Sequence, residues 1–179
     1  MRTVSRMYDT YSDAAAVVHD LEAADLNPSR EISLVANEDA RGRDTAAAPT
    51  RTETRSGTGT GAGVGATVGG VVGILTGLGI MAIPGIGPLV AAGWLATTLA
   101  GAGAGAVAGG LVGALTGAGV SREEAEVYEE GVRRGHTLVS VRANETDIPR
   151  IEAILDRRPT TDWRARRDEY TAAGWQPTR

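Results

Sequence analysis

The chain contains no cysteine. Disulfides, thiolate nucleophiles and cysteine-based metal sites are therefore excluded. It contains no lysine either, so all 18 basic residues are arginine. A phosphate loop of the Gly-Lys-Ser/Thr type cannot be built without lysine. Against 22 acidic residues the net charge is −4, which does not suit a dedicated nucleic-acid binder, and no nucleic-acid partner is expected. No apolar segment follows Met1, so a secretory signal is not expected. The largest absence is internal: residues 56–121 include no charged side chain.

What fills that stretch is Gly, Ala, Val, Ile, Leu and Thr, arranged in two glycine ladders. The first is Gly61, Gly65, Gly69, Gly73 and Gly77, with Gly57 one step ahead. The second is Gly101, Gly105, Gly109, Gly113 and Gly117. GAGVGATVGGVVGILTGLGI at 61–80 parallels GAGAGAVAGGLVGALTGAGV at 101–120. Residues four apart share a helix face, so each ladder would cut a flat groove that admits another backbone closely. A period of four exceeds the helical period, which turns the groove slowly right-handed and favours steep crossings.

Pro84, Gly85, Gly87 and Pro88 separate the ladders and form a strong helix breaker. The pattern predicts an antiparallel helical hairpin: one helix over 61–82, a turn, and a second helix over 89–119 that kinks or breaks near 101–105. Each interior glycine costs about 1 kcal/mol relative to alanine. Such helices therefore need lipid or a tight protein partner. Both segments have the roughly 20 residues that a bilayer core requires, although Gly, Ala and Thr dilute their hydrophobicity.

The flanks read as folded α+β structure. Residues 2–8 form an expected strand with Val4 and Tyr8 on one face. Ser12 is the expected N-cap of a helix carrying Ala14, Val17, Val18, Leu21 and Ala24. Residues 31–36 form a second strand, which completes a βαβ unit. Residues 38–56 read as a polar linker, with Arg41, Arg43, Arg51 and Arg55 placed near a possible membrane surface.

Beyond the ladders, Ser121-Arg122-Glu123-Glu124 is a capping box. It opens a helix that stops at Gly135, with Ala125, Tyr128 and Val132 as its buried stripe. Residues 137–142 form a third strand. Thr146 is the expected cap of a helix with Pro149 in its first turn and Ile148, Ile151 and Leu155 inward. Residues 160–166 form an expected fourth strand, completing a second βαβ unit.

The fold class that follows is α+β: a ferredoxin-like βαβ…βαβ sandwich split by an inserted glycine-zipper α-helical hairpin. Its parts are a first half at 1–37, a linker at 38–56, the hairpin at 57–120, a second half at 121–166 and a tail at 167–179 that carries Tyr170 and Trp175.

Candidate chemistry is sparse. His19 and His136 are isolated from any carboxylate set with metal-ligand spacing. Glu123, Glu124, Glu126, Glu129 and Glu130 read as a solvated helix face. Closely spaced glycines such as Gly63 and Gly65 do not follow a strand in a βαβ unit, so they are not read as a dinucleotide fingerprint. Arg157, Arg158, Arg164, Arg166 and Arg167 read either as a grip on an anionic surface or as a solvated strand edge. No catalytic residue, metal or cofactor is expected.

Residues 121–143, SREEAEVYEEGVRRGHTLVSVRA, together with the opening strand and helix at 4–26, resemble bacterial general stress proteins with the YflT-type domain. Several of these carry a glycine-zipper region just before an E-A-x-x-Y-E-x-G-V-R-R-G segment. Here that segment falls on Glu124, Ala125, Tyr128, Glu129, Gly131, Val132, Arg133, Arg134 and Gly135. The Arg/Thr-rich linker and the Trp-containing tail lie outside the resemblance. It implies stress-related expression, no established catalytic activity and no catalytic residues.

The expectation is a non-enzymatic, stress-associated protein that self-associates. Its hairpin would anchor to or insert in the cytoplasmic membrane, with both flanks cytoplasmic. The expected partners are further copies of the chain and membrane lipid. The alternative is a soluble cytoplasmic homo-oligomer, a shell or filament with hairpins packed inside. A third class, small-ligand regulation at a ferredoxin-like sheet edge, rests on fold analogy alone.

Overall fold

The computed structural model describes residues 1–24, 26, 31–45, 79–83, 87–101 and 110–177. Among these residues the strands are β1 (Arg2–Tyr8), β2 (Glu31–Asn37), β3 (Gly79–Ile83), β4 (Gly87–Gly93) and β5 (Thr137–Ala143). The helices among them are α1 (Tyr11–Ala23), α2 (Glu38–Thr45), α3 (Trp94–Gly101), α4 (Gly110–Gly117), α5 (Arg122–Arg133), α6 (Ile148–Leu155) and α7 (Trp163–Ala172).

Strand β5 is the hub. It runs antiparallel to β1 on one side and to β2 on the other. β1 and β2 are therefore parallel with β5 between them, so β1-α1-β2 is a split βαβ unit. The hairpin β3-β4 extends the sheet from the far side of β2, giving the order β1-β5-β2-β4-β3 with every pairing antiparallel.

Side chains alternate across the sheet, and both faces are covered. On one face Val4, Tyr8, Leu34, Val139 and Val141 pack with Val17 and Leu21 of α1 and with Ile151 and Leu155 of α6. On the other, Met7, Val35, Leu89, Ala91 and Leu138 pack with Leu95 and Leu99 of α3, Leu111 and Leu115 of α4, and Tyr128 and Val132 of α5. Burial on both faces explains why β5 reads as the nearly continuous run LVSV.

One polar row crosses the second face. Ser5 faces Ser140, Ser140 faces Ser33, and Ser33 faces Gly93. All three serines are buried. Ser5 Oγ and Ser140 Oγ are 2.8 Å apart, and Ser33 Oγ donates to the Ala92 carbonyl at 2.7 Å. Satisfied in this way, the hydroxyls sit in the core without the penalty of an unpaired donor.

The structure shows the α+β class and corrects several parts of the expectation. Residues 79–83 and 87–93 are paired strands, not the ends of two long helices. Ile83 faces Gly87 as the last pair of the ladder, so the expected chain reversal joins strands. The free edge of β2 supplies backbone partners for Val90 and Ala92, and pairing outweighs the weak helix preference of β-branched and glycine residues. The helix expected over 89–119 is instead β4, α3 and α4 among the described residues.

Residues 38–45 of the expected linker form α2, started by Asn37 Oδ1 accepting from the Asp39 N–H at 2.9 Å. The strand expected at 160–166 does not form. Asp162 accepts from the Arg164 N–H at 2.8 Å and opens α7. The second βαβ half is therefore β5-α6-α7. Smaller corrections concern caps: Thr10, not Ser12, caps α1, and Asp147, not Thr146, occupies the cap position of α6.

Candidate functional site

Among the described residues, a cluster of titratable side chains forms where the C-terminus of α5 meets β5 and α7. Gly135, at φ +97, ends α5 and delivers His136 at the mouth of β5. The ring of His136 stacks on Tyr170 of α7, with centroids 6.4 Å apart and an interplanar angle of 21°. The guanidinium carbon of Arg134 sits 4.4 Å from the Tyr170 centroid on α5's side. Trp175 meets the same ring edge-on at 6.3 Å.

Charges enclose these rings. Arg166, only 9% exposed, pairs with Asp9 through Nη2 and with Glu169 Oε2 through Nη1 at 3.0 Å. His136 Nδ1 lies 3.4 Å from Asp9 Oδ1, close enough to pair once the ring is protonated. Glu130, 4% exposed, accepts from Arg134 Nε at 2.6 Å and also pairs with Arg133. Burial, and then the Arg166 charge, push the His136 pKa down, while Asp9 works against them. Burial pushes the Tyr170 hydroxyl up to about 12. Both rings are thus neutral near pH 7 and packed among charges that neutralise one another.

Glycine makes the arrangement possible. A Cβ on Gly131 would overlap the sulfur of Met7 and lie 3.1 Å from the Tyr170 hydroxyl. The notch lets the buried Tyr170 reach Met7 Sδ at 3.8 Å. One turn earlier, the Tyr128 hydroxyl reaches Glu124 Oε1 at 2.8 Å and the Ser5 carbonyl at 3.1 Å. Burial, reinforced by Glu124, raises its pKa well above the ordinary tyrosine value. Glu129 Oε2 accepts from the Val112 N–H at 3.2 Å, so it satisfies a donor at the start of α4.

The glutamates expected to form a solvated face are therefore mostly engaged. Glu126 is 8% exposed and pairs with Arg122, and Glu130, Glu129 and Glu124 hold the contacts above. Only the spacing of their partners in three dimensions could have revealed this. The segment that carries the family resemblance is a packing device in this fold: Tyr128, Glu129, Gly131, Arg134 and Gly135 each hold a neighbouring element in place.

The arginines expected at a surface or strand edge also have carboxylate partners. Arg157 reaches Asp20 and Arg158 reaches Asp13, tying the end of α6 to α1. Arg164 reaches Asp162 and Arg167 reaches Glu123. The side chains of Arg41 and Arg43, and the whole of Arg51 and Arg55, lie outside the described residues. His19 is exposed on α1, far in sequence from the His136 cluster.

Of the glycine-ladder residues, Gly61, Gly65, Gly69, Gly73, Gly77, Gly105 and Gly109 lie outside the described residues, as do Pro84 and Gly85. Gly87 and Pro88 open β4, and Gly101 ends α3. Gly113 and Gly117 lie on α4, exposed, and no described residue lies within 4 Å of a Cβ built on either. Among the described residues, Gly113 and Gly117 are therefore not brought into a helix–helix contact.

Among the described residues no group of three His, Asp or Glu side chains could hold a metal ion, and no helix is long and apolar enough to cross a membrane. No protein family, curated protein or solved structure matches the chain.

Proposed function

We propose that the protein is a non-enzymatic, stress-associated protein that assembles with copies of itself through a glycine-lined helical face, carried on the rigid sheet domain. One observation carries this reading. Helix α4 buries Leu111, Ala114 and Leu115, while Gly113 and Gly117, four apart, open outward onto space that a side chain could fill. Each glycine weakens the helix by about 1 kcal/mol, and among the described residues nothing uses the room they leave. A second backbone approaching closely would use it.

The association with stress rests on the resemblance of 121–143 to general stress proteins. The non-enzymatic character is supported by the His136 cluster, where each carboxylate faces an arginine or the histidine. The split β1-α1-β2 unit supports a distant ferredoxin-like relationship for the sheet domain. A lipid surface is the second reading. It is favoured by the absence of charge over 56–121 and would place the protein on the cytoplasmic membrane with both flanks cytoplasmic.

Gly113→Leu/Gly117→Leu tests the first reading. Both side chains enter open space, so the fold should melt as wild type does, and the particle mass in detergent-free buffer should fall. An unchanged mass would overturn it. An alkaline carbonate wash separates the second reading: retention in washed membranes supports lipid insertion, and full release removes it.

A further inference from the structure

Helix α4 carries the outward glycine pair and is itself a weak helix. It has eight residues, three of them glycine, and a short run of this kind does not hold its shape in water alone. Its C-terminal end is fixed by uncharged bonds. Gly119, at φ +90, lets the Val120 N–H return to the Leu115 carbonyl at 3.1 Å, and the Ala118 carbonyl accepts from the Thr3 hydroxyl at 2.6 Å. The N-terminal end is held differently. There the Glu129 carboxyl reaches across from α5 to the Val112 N–H at 3.2 Å.

The arginines around Glu129 are committed elsewhere. Arg122 pairs with Glu126, Arg133 and Arg134 pair with Glu130, and Arg167 reaches Glu123. The charged groups that bear on Glu129 are Glu126, Glu130 and Arg133, all on its own helix. From α4 none faces it, because residues 56–121 hold no titratable side chain. β1 and α7 meet α5 through Tyr128 and Gly131 instead. The Glu129 carboxyl thus lies half-buried against an uncharged helix, with glutamates three residues before it and one after.

We infer that Glu129 is a proton-operated clasp: its carboxyl seats the first turn of α4 on α5, more firmly protonated than ionised, and so controls the glycine face. The neutral acid keeps an oxygen that accepts from Val112 and sheds the cost of a half-buried charge. Burial pushes the Glu129 pKa above the ordinary carboxylate value, against the bond from Val112. Glu126 and Glu130 add to the rise, and Arg133 opposes it. The seated arrangement therefore takes up the proton more readily than one in which α4 has lifted and Glu129 is in water. The added hold is complete below the ordinary carboxylate value and is lost as pH rises through the raised one.

The clasp rests on the self-association proposed above for its consequence, but not for its existence. A glycine face serves a second copy only while α4 is helical and seated, so assembly should strengthen in mild acid. Two readouts keep the clasp and the assembly apart. Amide exchange across residues 112–117 in dilute samples, taken relative to the unfolded rate at each pH, reads the clasp. Light-scattering mass reads the assembly. Both are measured from pH 7.5 down to 5 on wild type, Glu129→Gln and Glu129→Ala.

In wild type the protection of 112–117 should rise as pH falls. Glu129→Gln, neutral at every pH and still an acceptor, should hold the high protection throughout. Glu129→Ala should be low throughout, about five-fold below Glu129→Gln for one lost helix-end acceptor. If Glu129→Gln keeps the wild-type slope, the clasp is overturned. Should Glu129→Gln fold poorly, the wild-type Glu129 carboxyl titration read by NMR decides. Its midpoint should coincide with that of the α4 protection, and separate midpoints overturn the clasp. With the slope present, a mass that rises in acid supports control of assembly, and a constant larger mass overturns that control alone. A mass of 18.4 kDa at every pH overturns the glycine face together with its control and leaves the clasp standing.

Discussion

Gly93 closes β4 at φ +80, and a Cβ there would overlap the Ile32 carbonyl. Both the left-handed backbone and the missing side chain are needed at that position, because β4 must lie against β2 while the chain turns up into α3. Gly93→Ala should therefore destabilise the protein by about 2 kcal/mol or more, lowering the melting temperature by roughly 4–8 °C for a chain of this size. A melt within a degree of wild type would show that the turn relaxes without strain.

His136 gives the second residue-scale prediction. Its folded pKa lies below the ordinary value of 6.5. As pH falls past 6.5 the unfolded chain takes up this proton before the folded one does. The stabilisation is complete above pH 6.5 and is lost on acidification toward the depressed folded value. Urea midpoints measured from pH 7.5 down to 5.5 should fall, and His136→Gln should flatten that slope. An equal slope in both proteins would move the pH dependence to other groups.

Among the elements, α7 is the most simply held. Its anchors are Tyr170 in the Gly131 notch, Arg166 paired with Asp9 and Glu169, and Trp163 against the second core. Tyr170→Ala removes the central one, a loss of about 3 kcal/mol or more for a large buried ring. Limited proteolysis should then cut before Trp163 while the sheet remains protected. An uncut helix would mean that the ion pairs suffice.

The same helix shows where sequence reading stops. Residues 160–166 alternate superficially like a strand, and the cap on Asp162 outweighs that pattern. By contrast the ends and apolar stripe of α5 were legible, although the partners of its glutamates were not. The capping box at Ser121, the glycine at 135 and the stripe Ala125-Tyr128-Val132 are all local signals. The first βαβ unit was legible for the same reason. The strand identity of 79–83 and 87–93 was not, because it depends on the free edge of β2, which lies some fifty residues earlier in the chain. The His136 cluster was equally hidden, since Asp9, His136 and Arg166 come from three separate segments.

For the whole molecule, the α-β-α sandwich leaves the outward glycine pair on α4 unused among the described residues. A two-fold contact through that pair would make a dimer.

The most direct measurement is the light-scattering mass of the full chain in detergent-free buffer across a concentration series. Self-association predicts a mass above 18.4 kDa that falls when Gly113 and Gly117 are replaced. A single species of 18.4 kDa at every concentration would contradict it.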